Sequence, residues 1–110
     1  MNAAYLSVTK RLDEVLSEAI PWLSNAEARK FLSISETTRK RDTALLRELA
    51  PMGFSSGWKN RRGFNRAALE VLWEFRQLQD LTDREEAIAN INQLMRLIYE
   101  RKRQRARAAC

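Results

Sequence analysis

Two serine-led helix starts lie close together in this chain, and they constrain its fold more than any other feature. Ser24-Asn25-Ala26-Glu27 reads as a capping box. The serine oxygen can accept from the N–H three residues on, and the Glu27 side chain can reach back to the serine N–H. The helix it opens is expected to run to about Leu32, with Ala28, Phe31 and Leu32 facing inward. Ser33-Ile34-Ser35 then reads as a tight turn, with Ile34 as its buried plug and Ser35 as the cap of a second helix from about Glu36 to Leu49. The apolar side chains of that helix, Leu45, Leu46 and Leu49, all fall in its second half, and Glu36 to Thr43 offers none of comparable size. Its first turns are therefore expected to project from the body.

Pro51 closes the second helix. Met52-Gly53-Phe54 and Arg62-Gly63-Phe64 read as two short strands of a hairpin whose loop contains Gly57 and Asn60. Asn65 is expected to cap a helix over residues 66–79, with Leu69, Leu72, Trp73 and Arg76 along it. Thr82 with Glu85 forms a second capping box, opening a helix whose stripe is Ala87, Ile88, Ile91, Leu94, Met95 and Ile98. Upstream, residues 4–20 carry Leu12, Val15, Leu16 and Ala19 at helical spacing, and Pro21 ends that segment. Phe31, Phe54, Phe64, Trp73 and Phe75 are expected to be packing residues, and Trp58 to cover the base of the hairpin. With 45% hydrophobic residues and only three glycines and two prolines, the chain can bury a core but is poorly suited to an all-β fold. The expected organisation is an N-terminal helix (1–21), a central domain (22–80), a C-terminal helix (81–103) and a flexible basic tail (104–110).

Charge is distributed unevenly. The formal net charge is +6, from 20 Lys+Arg against 14 Asp+Glu. Residues 36–79 hold nine basic and five acidic side chains, residues 80–100 two and five, and residues 101–110 five and none. The central excess falls in two clusters, Arg39-Lys40-Arg41 at a helix start and Lys59-Asn60-Arg61-Arg62 at a hairpin tip. A helix-turn-helix followed by a basic wing places charge in this way, one cluster for the major groove and the other for the neighbouring backbone or minor groove. The fold class expected is thus mainly α, a winged helix-turn-helix with a small β-hairpin wing, flanked by N-terminal and C-terminal amphipathic helices.

From about Trp22 to Ile88 the sequence resembles the MerR-type winged helix-turn-helix. The resemblance rests on the first helix Asn25-Ala26-Glu27-Ala28-Arg29-Lys30-Phe31-Leu32, the turn ending Ile34-Ser35, and the segment Thr37-Thr38-Arg39-Lys40-Arg41-Asp42. It also rests on Arg62-Gly63-Phe64 closing the wing and on Leu69-Glu70-Val71-Leu72 beyond it. The resemblance implies a dimeric transcription regulator that contacts DNA with its second helix and wing and pairs through its last helix. Thr38 stands where the family usually buries a leucine, the second helix is longer than usual, and an extra helix precedes the domain. No effector domain and no metal-sensing cysteine set is visible, so a short repressor is the form implied.

Residue by residue, Arg39 and Arg41 suit bidentate contacts to guanine and Lys40 suits phosphate. Ser35, Thr37 and Thr38 can donate to phosphates beside the helix start. Lys59, Asn60, Arg61 and Arg62 are expected to make the wing contacts. Ile88, Ile91, Leu94, Met95 and Ile98 are expected to form a homodimer interface. The partner expected is double-stranded DNA, with no cofactor, no small-molecule effector evident and no membrane. A chain without histidine and with one terminal cysteine, Cys110, lacks a Cys/His zinc site and the usual general base, so no enzyme is expected. The single cysteine and the absence of a secretory signal point to the cytoplasm. Two competing readings are an excisionase-like architectural factor and a helical adaptor whose basic faces meet an acidic protein.

Overall fold

The computed structural model describes residues 5–55, 58–59 and 62–109. The Ser24 capping box forms as its sequence requires. Ser24 Oγ accepts from Glu27 N at 3.1 Å, and Glu27 Oε1 accepts from Ser24 N at 3.0 Å. Helix α2 spans Asn25–Leu32 and stops at Ser33, whose backbone turns left-handed at φ 55°. The N–H of Ile34 closes this turn by donating to Arg29 O. Ser35 then caps α3, Glu36–Leu49, accepting from Thr38 N at 3.1 Å.

The chain beyond α3 forms a small antiparallel sheet. Strand β2 is Trp58–Lys59 and β3 is Gly63–Asn65, with Trp58 opposite Phe64 and Lys59 opposite Gly63. Strand β1, Trp22–Leu23, pairs with the other edge of β3, giving the order β1-β3-β2. Met52–Phe54 is therefore not the first hairpin strand. It is a turn in which Phe54 N donates to Pro51 O, because Gly53 sits at φ +88° and Phe54 is drawn fully into the core. The β1 strand has no sequence signature beyond two apolar residues between a proline and a cap.

Asn65 Oδ1 accepts from Ala68 N at 3.0 Å and starts α4, Arg66–Leu81. Helix α5, Arg84–Ala109, folds back along α4 and continues through residues 104–109, which are helical and not the flexible tail expected, since arginine and alanine are strong helix formers. Its cap lies one residue later than the Thr82–Glu85 box. Thr82 donates its hydroxyl to Leu78 O at 2.6 Å and so finishes α4, while Asp83 Oδ1 accepts from Glu86 N at 2.8 Å. Phe54, Phe64, Phe75, Leu46, Leu72 and Leu94 are among the fully buried side chains that α3, α4, α5 and the sheet share. The architecture is mainly helical with one three-stranded antiparallel sheet.

The N-terminal segment departs from the single helix expected over residues 4–20. Helix α1 is confined to Tyr5–Val8, a 3-10 turn follows at Leu12–Glu14, and the rest is irregular; residue 4 lies outside the described residues. Tertiary bonds replace the helical ladder. Lys10 O accepts from Trp73 Nε1 and Gln77 Nε2, both at 2.9 Å, and Arg66 donates to Leu16 O at 2.7 Å and Ser17 O at 2.9 Å. Arg66 also pairs with Asp13 at 2.8 Å. Leu12 is wholly buried, so the segment acts as a strap across α4 rather than as a separate helix.

Among the described residues no helix is long and apolar enough to cross a membrane, and no cluster of His, Cys, Asp and Glu is arranged to hold a metal ion.

Candidate nucleic-acid interface

Successive residues of an α-helix advance by about 100°, so α3 divides into faces that its sequence alone does not label. Arg39, Asp42, Thr43 and Leu46 point inward, whereas Thr37, Lys40, Arg41, Ala44, Arg47 and Glu48 are exposed. The polar first half of α3 is therefore docked and does not project freely. Its anchor is Asp42, which is fully buried. Asp42 accepts from Arg76 at 3.0 Å and Gln79 at 3.3 Å on α4 and lies 3.5 Å from Arg84 at the start of α5. Thr43 Oγ1 donates to Arg39 O at 2.7 Å.

Arg39 is the clearest correction at this site. It is only 6% exposed and pairs with Glu36 one turn earlier, so its guanidinium is not presented as a reader of guanine. The Arg39 hydrogen bond also holds the Glu36 carboxyl below the usual carboxylate range. Thr38 is half-buried and its Oγ1 accepts from Ser35 Oγ at 3.0 Å. Ser35, Thr37, Lys40 and Arg41 remain exposed where the sequence placed them.

On the hairpin, Lys59 and Arg62 are exposed, and Arg62 N donates to Lys59 O at 3.0 Å across the turn. Asn60 and Arg61 lie outside the described residues. Trp58 does cover the hairpin base. Its ring stacks on Phe54 with centroids 6.0 Å apart and meets Phe64 at 6.4 Å. Trp58 also receives Arg47, whose guanidinium carbon is 5.4 Å from the ring centroid. A shallow depression of about 190 Å³ results, lined on the α3 side by Arg39, Lys40, Thr43, Ala44 and Arg47 and on the β2 side by Trp58, so the nearly buried Arg39 forms part of its floor.

Arg47 is the residue that the clusters concealed. It lies outside Arg39-Lys40-Arg41 and has a Glu neighbour, yet Lys40, Ala44 and Arg47 follow the i, i+4, i+7 spacing of a single stripe. That spacing was the available signal. The exposed stripe pairs two cations with a small central residue, which lets the helix axis approach a flat or convex partner. Glu36 and Glu48 are exposed on the same side, and Glu36 is compensated by Arg39.

The stripe expected to meet a second subunit is occupied within the chain. Ile91, Leu94 and Met95 are fully buried, Ile98 is 4% exposed, and Ile88 is half-buried against the same core. Together with Ala87 they pack on the chain's own α4 and α3, because the fold-back of α5 turns its apolar face inward. Ile91, Leu94, Met95 and Ile98 are core residues of the single chain, and Ile88 packs at their edge.

The chain matches no protein-family model, no curated protein and no solved structure.

Proposed function

We propose that this chain is a sequence-specific double-stranded DNA-binding regulator, with α2 and α3 as a helix-turn-helix and β2–β3 as its wing. The observation that carries the reading is the contact of Arg47 with Trp58. It joins the exposed basic stripe of α3 to the base of the hairpin that carries Lys59 and Arg62, so the two charge runs belong to adjoining elements. The order helix, tight turn, helix, hairpin, helix supports the MerR-type resemblance. Lys40, Arg41 and Arg47 would meet the major groove, Ser35 and Thr37 the phosphates at the start of α3, and Lys59 and Arg62 the adjoining backbone. Repression is the simplest action, since occupancy of an operator excludes other proteins from it.

Genomic fragments captured on the full chain, sequenced and then titrated with salt against random duplex, test the reading. Retention of a defined fragment over random DNA at physiological salt supports it. Binding that collapses equally on every fragment as salt rises reduces the basic face to non-specific charge and favours an adaptor.

The burial of the α5 stripe favours a second reading. Without that seam, the chain would act as an excisionase-like architectural factor that assembles side by side along DNA. Footprints that lengthen with protein concentration would select this reading, and a fixed footprint would select the regulator.

A further inference from the structure

A cavity of about 240 Å³ opens where the N-terminal strap passes beside α4 and α5, and it shares no lining residue with the depression beside Trp58. Leu6 from the strap and Ile98 from α5 supply apolar walls, and both belong to or pack on the core. The acidic groups at its edge already have donors. Asp13 accepts from Arg66 at 2.8 Å, both oxygens of Glu70 accept from Lys102 at 2.7 Å, and Glu14 accepts from the backbone N–H of Arg11.

Of the four cations, Lys102 is paired with Glu70 and Arg11 with Glu74, which leaves Arg101 and Arg105. Arg101, half-buried, and Arg105, exposed, line the cavity one helical turn apart, and their side chains make no ion pair or hydrogen bond with any described residue. Arg11, also in the wall, has a buried Nε with no acceptor. A guanidinium is all donors, and its planar fork matches a carboxylate. The cavity thus combines apolar walls with two guanidinium groups that have no partner within the described residues, while its own carboxylates are engaged. Its volume lies below the roughly 300–1,000 Å³ of sites for drug-sized ligands.

We infer that this cavity binds a small monocarboxylate with a short apolar body, its carboxylate on Arg101 and Arg105 and its body against Leu6 and Ile98. Such a ligand bridges the strap to α5. Inorganic phosphate offers the charge but nothing for the apolar walls, and an alcohol offers the reverse. The inference does not depend on DNA binding.

The test is a methyl-detected NMR titration of the full chain at fixed ionic strength, using hexanoate, hexanol and inorganic phosphate. Hexanoate should give saturable shifts at the Leu6 and Ile98 methyls, at least about tenfold tighter than hexanol or phosphate. Arg101→Gln and Arg105→Gln should each weaken hexanoate by about fivefold or more while the spectrum stays dispersed, and Lys59→Gln should leave it unchanged. Shifts that remain linear with hexanoate, phosphate binding as tightly as hexanoate, or full affinity in both arginine variants would each overturn the inference.

Discussion

The Arg47 guanidinium lies over the Trp58 ring, 5.4 Å from its centroid, and ties the middle of α3 to the base of the hairpin. Trp58 is itself fixed by Phe54 and Phe64, so Arg47 is oriented by the core although its own side chain is exposed. Arg47→Ala should weaken DNA binding by about tenfold, a loss of order 1 kcal/mol for one guanidinium contact. The stability cost should stay below about 1 kcal/mol, because an exposed cation–π contact is worth no more. Arg47→Lys keeps the charge but not the planar stacking and should fall between the two. Fluorescence anisotropy with a selected duplex, beside a urea melt, checks both numbers.

Arg39 and Lys40 are neighbours in sequence and differ in what they do. Arg39→Ala removes a nearly buried side chain and its bond to Glu36, and should lower stability by about 1–2 kcal/mol. Its effect on DNA affinity, measured well below the melting temperature, should be small and equal on cognate and random duplex. Lys40→Ala should leave the melt within about 0.5 kcal/mol and weaken DNA binding, lowering the salt slope by about one counterion. A reversed pattern would restore Arg39 as a base reader.

The helices of the central unit were legible because their starts are written in local chemistry. Ser24, Ser35 and Asn65 each cap the helix that follows, and Leu32 and Leu49 end theirs where the pattern stops. What could not be read depends on partners distant in sequence. Asp42 looks like a solvent charge until Arg76 and Arg84 are brought beside it. The strap carries helical periodicity, but its carbonyls at Lys10, Leu16 and Ser17 find side-chain donors on α4. The apolar stripe of α5 has the same pattern whether it faces its own α4 or a second subunit, and only the fold-back of α5 distinguishes the two. Of the candidate interface, the exposed Lys40, Arg41, Lys59 and Arg62 were visible as charge, whereas the choice of Arg47 over Arg39 required the helix to be seated.

Asp42 anchors α3 to two other helices from a fully buried position. Asp42→Ala leaves Arg76 and Arg84 without their shared acceptor and should cost about 3–5 kcal/mol in a denaturant melt. DNA affinity should fall with it, since α3 loses the contact that sets its angle on α4. Asp42→Asn retains a hydrogen-bond acceptor and should cost less than the alanine variant.

Glu74 is the titrating group of the strap contact. It is buried against Arg11 at 3.2 Å and Tyr5 at 3.4 Å, with Glu70 and Lys102 nearby. Burial raises its pKa to about 7, opposed by the charge of Arg11 and assisted by that of Glu70. The folded state then holds a proton that the unfolded chain has released, so stability falls as pH rises from the ordinary carboxylate range through about 7. The loss is at most about 3 kcal/mol across that window, and it is complete above the window. Thermal melts from pH 5 to pH 8 should show this decline, and Glu74→Gln should flatten it.

Leu94 separates a core helix from a dimer seam. It is fully buried within one chain, and so are its neighbours Ile91 and Met95. Leu94→Ala opens a cavity between α4 and α5 and should cost about 2–5 kcal/mol. Were the stripe shared between subunits, the unfolding midpoint would rise with protein concentration by mass action, and the variant would shift the monomer–dimer balance. If the stripe is internal, the loss caused by Leu94→Ala is the same at both ends of a hundredfold dilution. Denaturant melts at the two ends of that range decide it, and a Leu94→Ala loss that changes with concentration would return α5 to the interface.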